Sequence, residues 1–469
     1  MPAPWTGSST SAARRAGDTR QTGLAYILQA GGEISYVIRR LKWPGEASVV
    51  VSVVHIQKGA TSTPTIDGRR VKRVSAYLVE GSQDESPTRL AANLGKAYVG
   101  SYVLGKGFTF DDEAAAKGTA SSLEDMRQVI LKNPRNASRI FPFIGGEEVN
   151  TDPCHTPRRY VIDFGDMPLG RVHNEISWFQ MSPDMQAKKL RDCLMPEDYP
   201  GDVAEDWEDL ITIIFNRVKP QRDSDNRENY RSRWWRFAER RPGLYKAIEG
   251  LNFVFVNSSK AAPQFAIAIL KTGIVYSQNL NVFAIQGFAN FSIMQSRVHE
   301  LWARFFGTTM KDDLTYAIED CFRSFPFLPW DQTDECLNSN GAGYCEYRAT
   351  LMKKYNEGLT KAYNRFHDRD ENSADINELR RLHDAMDHAV LRAYGWEDLI
   401  PRAVPQFLDE ANEDDHKYQG RYFWSADVRD EVLARLLSLN SVRAAEEKAS
   451  GIAQTGTTSQ DEDALEDLE

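Results

Sequence analysis

LNFVFVNSSKAAPQFAIAILKTGIVYSQNLNVFAIQGFANFSIMQSRVHELWARFFG occupies residues 251–307, and its periodicity changes part-way along. Residues 251–257, 265–270 and 272–285 are β-branched and aromatic runs, separated by Ser258-Ser259-Lys260 and Lys271-Thr272-Gly273, the pattern of short strands and turns. Beyond them, Phe291, Met294, Val298, Leu301/Trp302 and Phe305 recur at spacings of three and four. That spacing predicts an amphipathic helix over 287–306 ending at Gly307, with Gln295, Arg297, His299 and Glu300 on its polar face. A small β-rich unit followed by a helix therefore sits in the middle of the chain.

Just upstream lies RVKPQRDSDNRENYRSRWWRFAERR, residues 217–241, with nine Arg/Lys against four Asp/Glu. A segment of local charge +5 in a chain of formal charge −10 suits a polyanion, because guanidinium groups replace the counterions condensed on phosphates. The competing reading is a solvated helix face of Arg–Glu pairs. Adjacent helical residues point about 100° apart, so Trp234 and Trp235 are expected to divide between core and surface. Charge alternates elsewhere too. Residues 1–106 hold fourteen Arg/Lys and seven Asp/Glu, residues 192–209 hold eight acids and no base, and residues 461–469 hold six acids.

Upstream again, residues 47–56 (ASVVVSVVHI) are expected to form a strand buried on both faces, after a helix near 19–29. A second strand is expected at about 70–79 and a helix near 121–132. Downstream of Trp330 the texture is helical, with apolar periodicity through Leu379–Ala393 and Val428–Leu437. With 41% hydrophobic residues the chain can build several cores. Five cysteines with no CxxC spacing give neither a disulfide scaffold nor a zinc site, and no metal is expected. No run of 18 apolar residues occurs, so no membrane association is expected and the reading is cytoplasmic.

The ordered blocks GDTRQTGLAYILQAGG, RRLKWPGEASVVVSVVHIQKG, GKGFTFDD, KNPRNASRIFPFIGGEEVN, RYVIDF, RVKP…RWWRFAERRPGLY and SRVHELWARFFGTTMKDDLTYAIEDCFRSFPFLPW resemble the C-terminal half of large adenine-N6 DNA methyltransferases. The resemblance is to the type IIG and type IIL restriction-modification enzymes, covers about residues 17–330, and continues more weakly through 379–396. It implies an α/β remnant of a Rossmann-like methyltransferase sheet, then an α+β target recognition domain, then a mostly α C-terminal region. The boundaries it implies are a disordered leader at 1–16, the end of the methyltransferase domain at 17–106, and the recognition domain at 107–330. A helical region at 331–448 and a disordered acidic tail at 449–469 complete the chain.

By that resemblance the intact enzyme transfers a methyl group from S-adenosylmethionine to adenine in double-stranded DNA, within a restriction-modification or phage-defence system. The catalytic and cofactor motifs of such enzymes are missing from the sequence. There is no Pro-Pro pair, the one Asn-Pro (Asn133-Pro134) is followed by Arg135, and Gly105–Gly107 is only a GxG. No catalytic or cofactor-binding residue is therefore assigned, and an upstream methyltransferase polypeptide is the expected partner. Asp152-Pro153-Cys154-His155 and Pro183-Asp184 read as loop residues rather than as nucleophile or nuclease motifs. Expected phosphate contacts are Lys219, Arg222, Arg231, Arg233, Arg236, Arg297, His299 and Lys311. Expected base readers, at strand ends and turns, are Ser258, Ser259, Lys260, Gln264, Lys271 and Tyr276. A standalone DNA-specificity subunit and a non-DNA interaction protein remain open alternatives.

Overall fold

The computed structural model describes residues 11–12, 20–43, 50–59, 63–173, 175–260, 262–310, 313–331, 334–410, 413 and 415–451. They form two compact units. The first gathers the described residues of Met1–Ala97, Lys260–Ile267 and Ile285–Gly456; the second is Tyr98–Ser259 with Ala268–Ala284.

In the first unit a short helical segment (Arg20–Ala25, then Tyr26–Gln29) leads into a long hairpin, Gly32–Lys42 against Val50–Lys58. The pairing is antiparallel, with register shifts at Ile34/Tyr36 and Ile38/Leu41 that bend the ribbon. Thr65–Ile66 adds to it in parallel and Arg69–Arg70 closes the edge. Ala25, Leu28, Ile34, Val37, Val54 and Ile66 form its core. Two expectations change here. The 47–56 run is a half-exposed hairpin strand, with Val51 and Val54 buried but His55 and Lys58 exposed, because only one face has a core to cover. Residues 71–79 are turns rather than a strand, tied locally by hydrogen bonds such as Ser75 N–H to Val79 O. Among the described residues no helix joins these strands, so the sheet has none of the crossovers that mark a Rossmann unit.

The rest of the first unit is helical: Phe288–Gln295, Arg297–Phe306, Glu335–Tyr355, Leu359–His367, Ala374–Ala393 and Ala426–Ala449. Gly341 lets two helices meet closely, since a Cβ there would lie 2.3 Å from the Phe288 carbonyl oxygen. The expected helix over 287–306 is two helices, broken at Ser296, which leaves helical geometry and caps the second by accepting from His299 N–H. Neither helix has a solvent-facing polar side, because Gln295, Arg297, His299 and Glu300 are all buried.

The second unit contains two four-stranded sheets. One is ordered Val275–Tyr276, Ile140–Ile144, Arg159–Ile162, Thr109–Phe110. The other runs Ala268–Lys271, Phe253–Ser258, Leu280–Phe283, and is completed by Ala97–Val99, where the chain enters the unit. Of the runs at 251–285, Ala268–Lys271 and Leu280–Phe283 pair antiparallel with Phe253–Ser258, while Val275–Tyr276 joins the other sheet, parallel to Ile140–Ile144. Leu123–Lys132 forms the helix expected near 121–132, opened by a capping box between Ser122 and Asp125. Phe108, Phe110, Val161, Phe164, Trp207, Leu210, Ile214, Trp234 and Trp235 share one core. Both tryptophans are buried, their rings edge-on at 6.0 Å, so the expected division between core and surface does not occur. The cause is local: residues 233–236 form a turn, and helical geometry does not govern where their side chains point.

Candidate nucleic-acid interface

The basic segment is neither one helix nor one solvated face. It consists of two short helices, Lys219–Arg222 and Glu228–Ser232, followed by turns that lead to the helix Pro242–Ala247. This path folds several arginines back onto the second unit. Arg191, Arg222, Arg233, Arg236 and Arg240 line a cleft of about 260 Å³ together with one carboxylate, Asp166. Arg222 is 2% exposed; its Nη2 donates to the carbonyls of Val103 (3.1 Å) and Arg236 (3.2 Å), and it lies 5.2 Å from the Tyr230 ring. Burial lowers its pKa. Arg236 donates to the carbonyls of Asp166 (2.7 Å) and Met167 (2.9 Å). Burial pushes its pKa down to about 10, the Asp166 carboxylate works against this, and the positive charges of Arg233 and Arg240 add to it. Arg233 donates at 3.4 Å to the Arg191 carbonyl, and Arg240 pairs with Asp166.

The remaining expected contacts divide sharply. Lys219 and Arg231 are surface cations paired with Asp223 (2.7 Å) and Glu228, in exposed pairs that add little stability. Arg222 and Arg236 do not stand on an open solvated face; they line the cleft with donors engaged by backbone carbonyls. Arg297 is a clear correction. It is 1% exposed, and its Nη1 lies 2.7 Å from Asp384 and 2.6 Å from Asp387. Burial alone would lower its pKa, but the two carboxylates more than reverse that and leave it raised. His299 is corrected likewise. It lies within a group of aromatic rings, with centroids 4.5 Å from Phe325 and 5.2 Å from Phe327, and its Nε2 is 2.9 Å from the Tyr316 hydroxyl. Burial pushes its pKa down to about 3, so the ring is neutral. Lys311 lies outside the described residues.

Of the expected base readers, Lys260 and Lys271 are exposed and Ser258 and Ser259 are half-buried. Ser259 is already engaged, with Oγ donating to Gln278 O at 2.9 Å. Tyr276 is corrected: it is buried, and its hydroxyl donates to Lys271 O at 2.7 Å. Gln264 is held between Arg421 (2.8 Å) and Asn364 (3.1 Å), which makes it a packing contact in the first unit. Sequence reasoning passed over Arg191, Asp166 and Arg240. Arg191 ends the short basic stretch Lys188-Lys189-Leu190-Arg191 and directly precedes the acidic run, while Arg240 lies inside the basic segment with nothing to set it apart from its neighbours.

Gly105–Gly107 and Asn133 serve packing and capping in this structure. Gly105–Gly107 opens only a single 3-10 turn, Lys106–Phe108, and a Cβ on Gly107 would lie 2.6 Å from Arg217 Cβ. That glycine serves close packing and does not open space for a nucleotide. Asn133 caps the turn Pro134–Arg139 by accepting from Arg135 N–H. His383, Asp384 and Asp387 could together offer three metal ligands, but Arg297 already bonds both carboxylates. Cys154 sits on an exposed loop where Asp152 accepts from its N–H, and Pro183 opens the helix Pro183–Lys189. Among the described residues no helix is long and apolar enough to cross a membrane.

Residues 170–329 match the family model described as MmeI, target recognition domain. This stretch of the chain is therefore similar to an MmeI-type target recognition domain. The match takes in Arg191, Arg222, Arg233, Arg236 and Arg240 from the cleft, and the strands and helices of residues 251–307. The fold is similar to a solved structure of the type IIL restriction-modification enzyme MmeI in complex with DNA. Identity to it is 15% and the TM-score is 0.51. The similarity covers 92% of this chain and 48% of that one, so the chain spans about half the length of the enzyme it matches. No curated protein matches the chain.

Proposed function

We propose that this chain is the DNA-recognition part of a type IIL-like adenine-N6 methyltransferase of a restriction-modification system, with double-stranded DNA as its partner. The observation that carries the reading is the MmeI-type recognition region, which brings the arginine-lined cleft and the exposed strand-end lysines into one stretch of chain. In this reading the phosphate backbone is held by surface cations that folding leaves accessible: Lys219, Arg231, Arg233 and Arg191. The ion pairs of Lys219 and Arg231 are exposed, so a phosphate can take over from Asp223 and Glu228 at little cost. Lys260 and Lys271 are the residues best exposed for contact with base edges.

Methyl transfer from S-adenosylmethionine requires a cofactor turn and an adenine-holding loop. In the proposed reading an upstream methyltransferase polypeptide supplies both, and this chain alone binds DNA without modifying it. Two measurements test the proposal. The purified chain, with labelled S-adenosylmethionine and duplex DNA, should bind the duplex and transfer no methyl group; transfer would overturn the division of labour. Lys219, Arg231 and Arg233 changed together to Ala should flatten the slope of log K against log salt by about three times 0.9. An unchanged slope would remove these residues from the interface.

A further inference from the structure

We infer that the cleft between Arg191, Arg222, Arg233, Arg236 and Arg240 is a built binding site for a single phosphate group, and that Asp166 occupies part of it as an internal competitor. The inference deepens the DNA reading above but does not depend on it, because the site's chemistry concerns one phosphate whatever carries it.

Charge and burial argue for a ligand. Five arginines line one cleft with a single carboxylate; Arg222, Arg233 and Arg236 are held there by carbonyls, and Arg240 pairs with the carboxylate, Asp166. Carbonyl bonds fix Arg222 and Arg236 in place without neutralising them, and drawing these two charges out of water beside other cations is unfavourable unless an anion joins them. Arg222 adds a second observation. Its side chain is 2% exposed, it lines the cleft, and its Nε has no hydrogen-bond partner among the described residues. A buried guanidinium N–H left unmade is costly, and an oxyanion satisfies it. The lowered pKa of Arg236, to which Arg233 and Arg240 contribute, agrees with a pocket short of negative charge.

Size selects the ligand class. A cleft of about 260 Å³ lies below the roughly 300–1,000 Å³ of pockets that enclose drug-sized molecules. It has room for a tetrahedral anion with some of its water, and arginine forks match phosphate oxygens in pairs. Asp166 already mimics part of that anion. Its carboxylate pairs with Arg240 and its carbonyl accepts from Arg236. The side chain is 72% exposed and follows Gly165 at φ 64, so the pair is a weak surface one that a phosphate can displace. The phosphate can come from a DNA backbone or from a free phosphate or monoester.

The test uses the full chain and inorganic phosphate, titrated against chloride at constant ionic strength, with binding read by calorimetry and thermal stability. Wild type should show phosphate-specific binding. Arg233→Ala, which removes the least buried-in partner network of the four basic-segment arginines, should weaken it about tenfold or more. Asp166→Asn should strengthen it, by up to about fivefold. A merely structural Asp166 would give the opposite sign, with weaker binding and a lower Tm. A short duplex supplies the second arm. If Arg233→Ala weakens phosphate and duplex binding alike, the phosphate is that of the DNA backbone. If it weakens phosphate binding alone, the site stands, its ligand is a free phosphate, and the DNA reading of this cleft fails. If wild type does not distinguish phosphate from chloride, the built site is overturned, even where Arg233→Ala still weakens the duplex as a diffuse cation would.

Discussion

Replacing Arg297 with Ala separates a buried structural cation from a DNA contact. The guanidinium touches two carboxylates at 2.6 and 2.7 Å, and both it and Asp387 are 1% exposed. Removing it leaves Asp387 in the interior with the His383 ring, 3.2 Å away, and the backbone N–H of residue 297 as partners. Breaking a buried pair in this way costs about 3–5 kcal/mol. For a unit of this size that corresponds to a fall in Tm on the order of 10 °C. The pH dependence is diagnostic. Burial pushes the Asp387 carboxyl up, but His383 and Arg297 more than offset it, so its folded pKa lies below the ordinary 3.8. A depressed carboxyl contributes stability that is complete above 3.8 and is lost as pH falls through the folded value. The stability gap between wild type and Arg297→Ala should therefore be widest near neutrality and narrow in acid. Urea unfolding across that range measures it, followed by the tryptophans buried in the same unit, such as Trp302 and Trp424. The salt slope of duplex binding, measured well below the variant's Tm, should not change. An Arg297→Ala protein with wild-type Tm and a flattened salt slope would refute the reasoning.

Three further outcomes are expected. Gly341→Ala places a methyl 2.3 Å from Phe288 O and 2.4 Å from Ser292 Oγ, so it should lower Tm by an overpacking cost of about 1–3 kcal/mol, despite the better helix propensity of Ala; a raised Tm would show that the two helices part freely. Asp163 has its pKa raised by burial, against the pull of Arg240, so its contribution to stability is greatest below 3.8 and is lost as pH rises through the folded value. Asp163→Asn, which retains an acceptor for Gly165 N–H (2.8 Å), should therefore be more stable than wild type at pH 7, with the difference vanishing in acid; urea midpoints at two pH values decide the sign. Cys154 and Cys336 are exposed, whereas Cys321 is buried with its thiol pushed up to about 12, so a thiol reagent should label the first two rapidly and Cys321 only on denaturation.

The strands and helices that follow apolar periodicity were the legible part of the fold. The runs at 251–285 hold paired strands, and the spacings at 379–393 and 428–437 lie within the helices Ala374–Ala393 and Ala426–Ala449, because each buries one stripe or face against a core. What failed were inferences from polarity. Gln295, Arg297, His299 and Glu300 recur as a polar stripe, which a rule built on solvated helices turns outward. Here the stripe faces inward. Gln295 accepts from Ile267 N–H (2.8 Å) and Arg348 (3.2 Å), Arg297 meets Asp387, and Glu300 bonds Arg304. The partners lie up to 90 residues away, so no local window contains the information that turns the stripe. The two-sided burial expected of residues 47–56 fails for a related reason. A β-branched run fixes the extended backbone but not how many of its faces are covered.

The candidate interface was legible as a charge count and illegible as a surface. A polyanion meets only the cations that folding does not consume, and consumption here is extensive. Within 217–241, Arg222 and Arg236 bind carbonyls, Arg231 binds both the Asp225 carbonyl and Glu228, Arg241 binds Glu239, and Lys219 and Arg240 pair at the surface with Asp223 and Asp166. The acidic run at 192–209 is consumed in the same way: Asp202 pairs with Arg135, Asp206 with Arg171, and Asp209 with Lys132. Each block is neutralised by single residues of the second unit rather than by the other block, which explains why neither the +5 segment nor the acidic run survives as a uniform face. What the pairing leaves over is local. At the cleft, Arg191 arrives from the edge of the acidic run and joins Arg233 through its carbonyl, while the acids that follow it in sequence are paired elsewhere. Positive charge is thus concentrated where the fold supplies one carboxylate for five guanidinium groups, and that imbalance, rather than the composition of any segment, is what a phosphate would recognise.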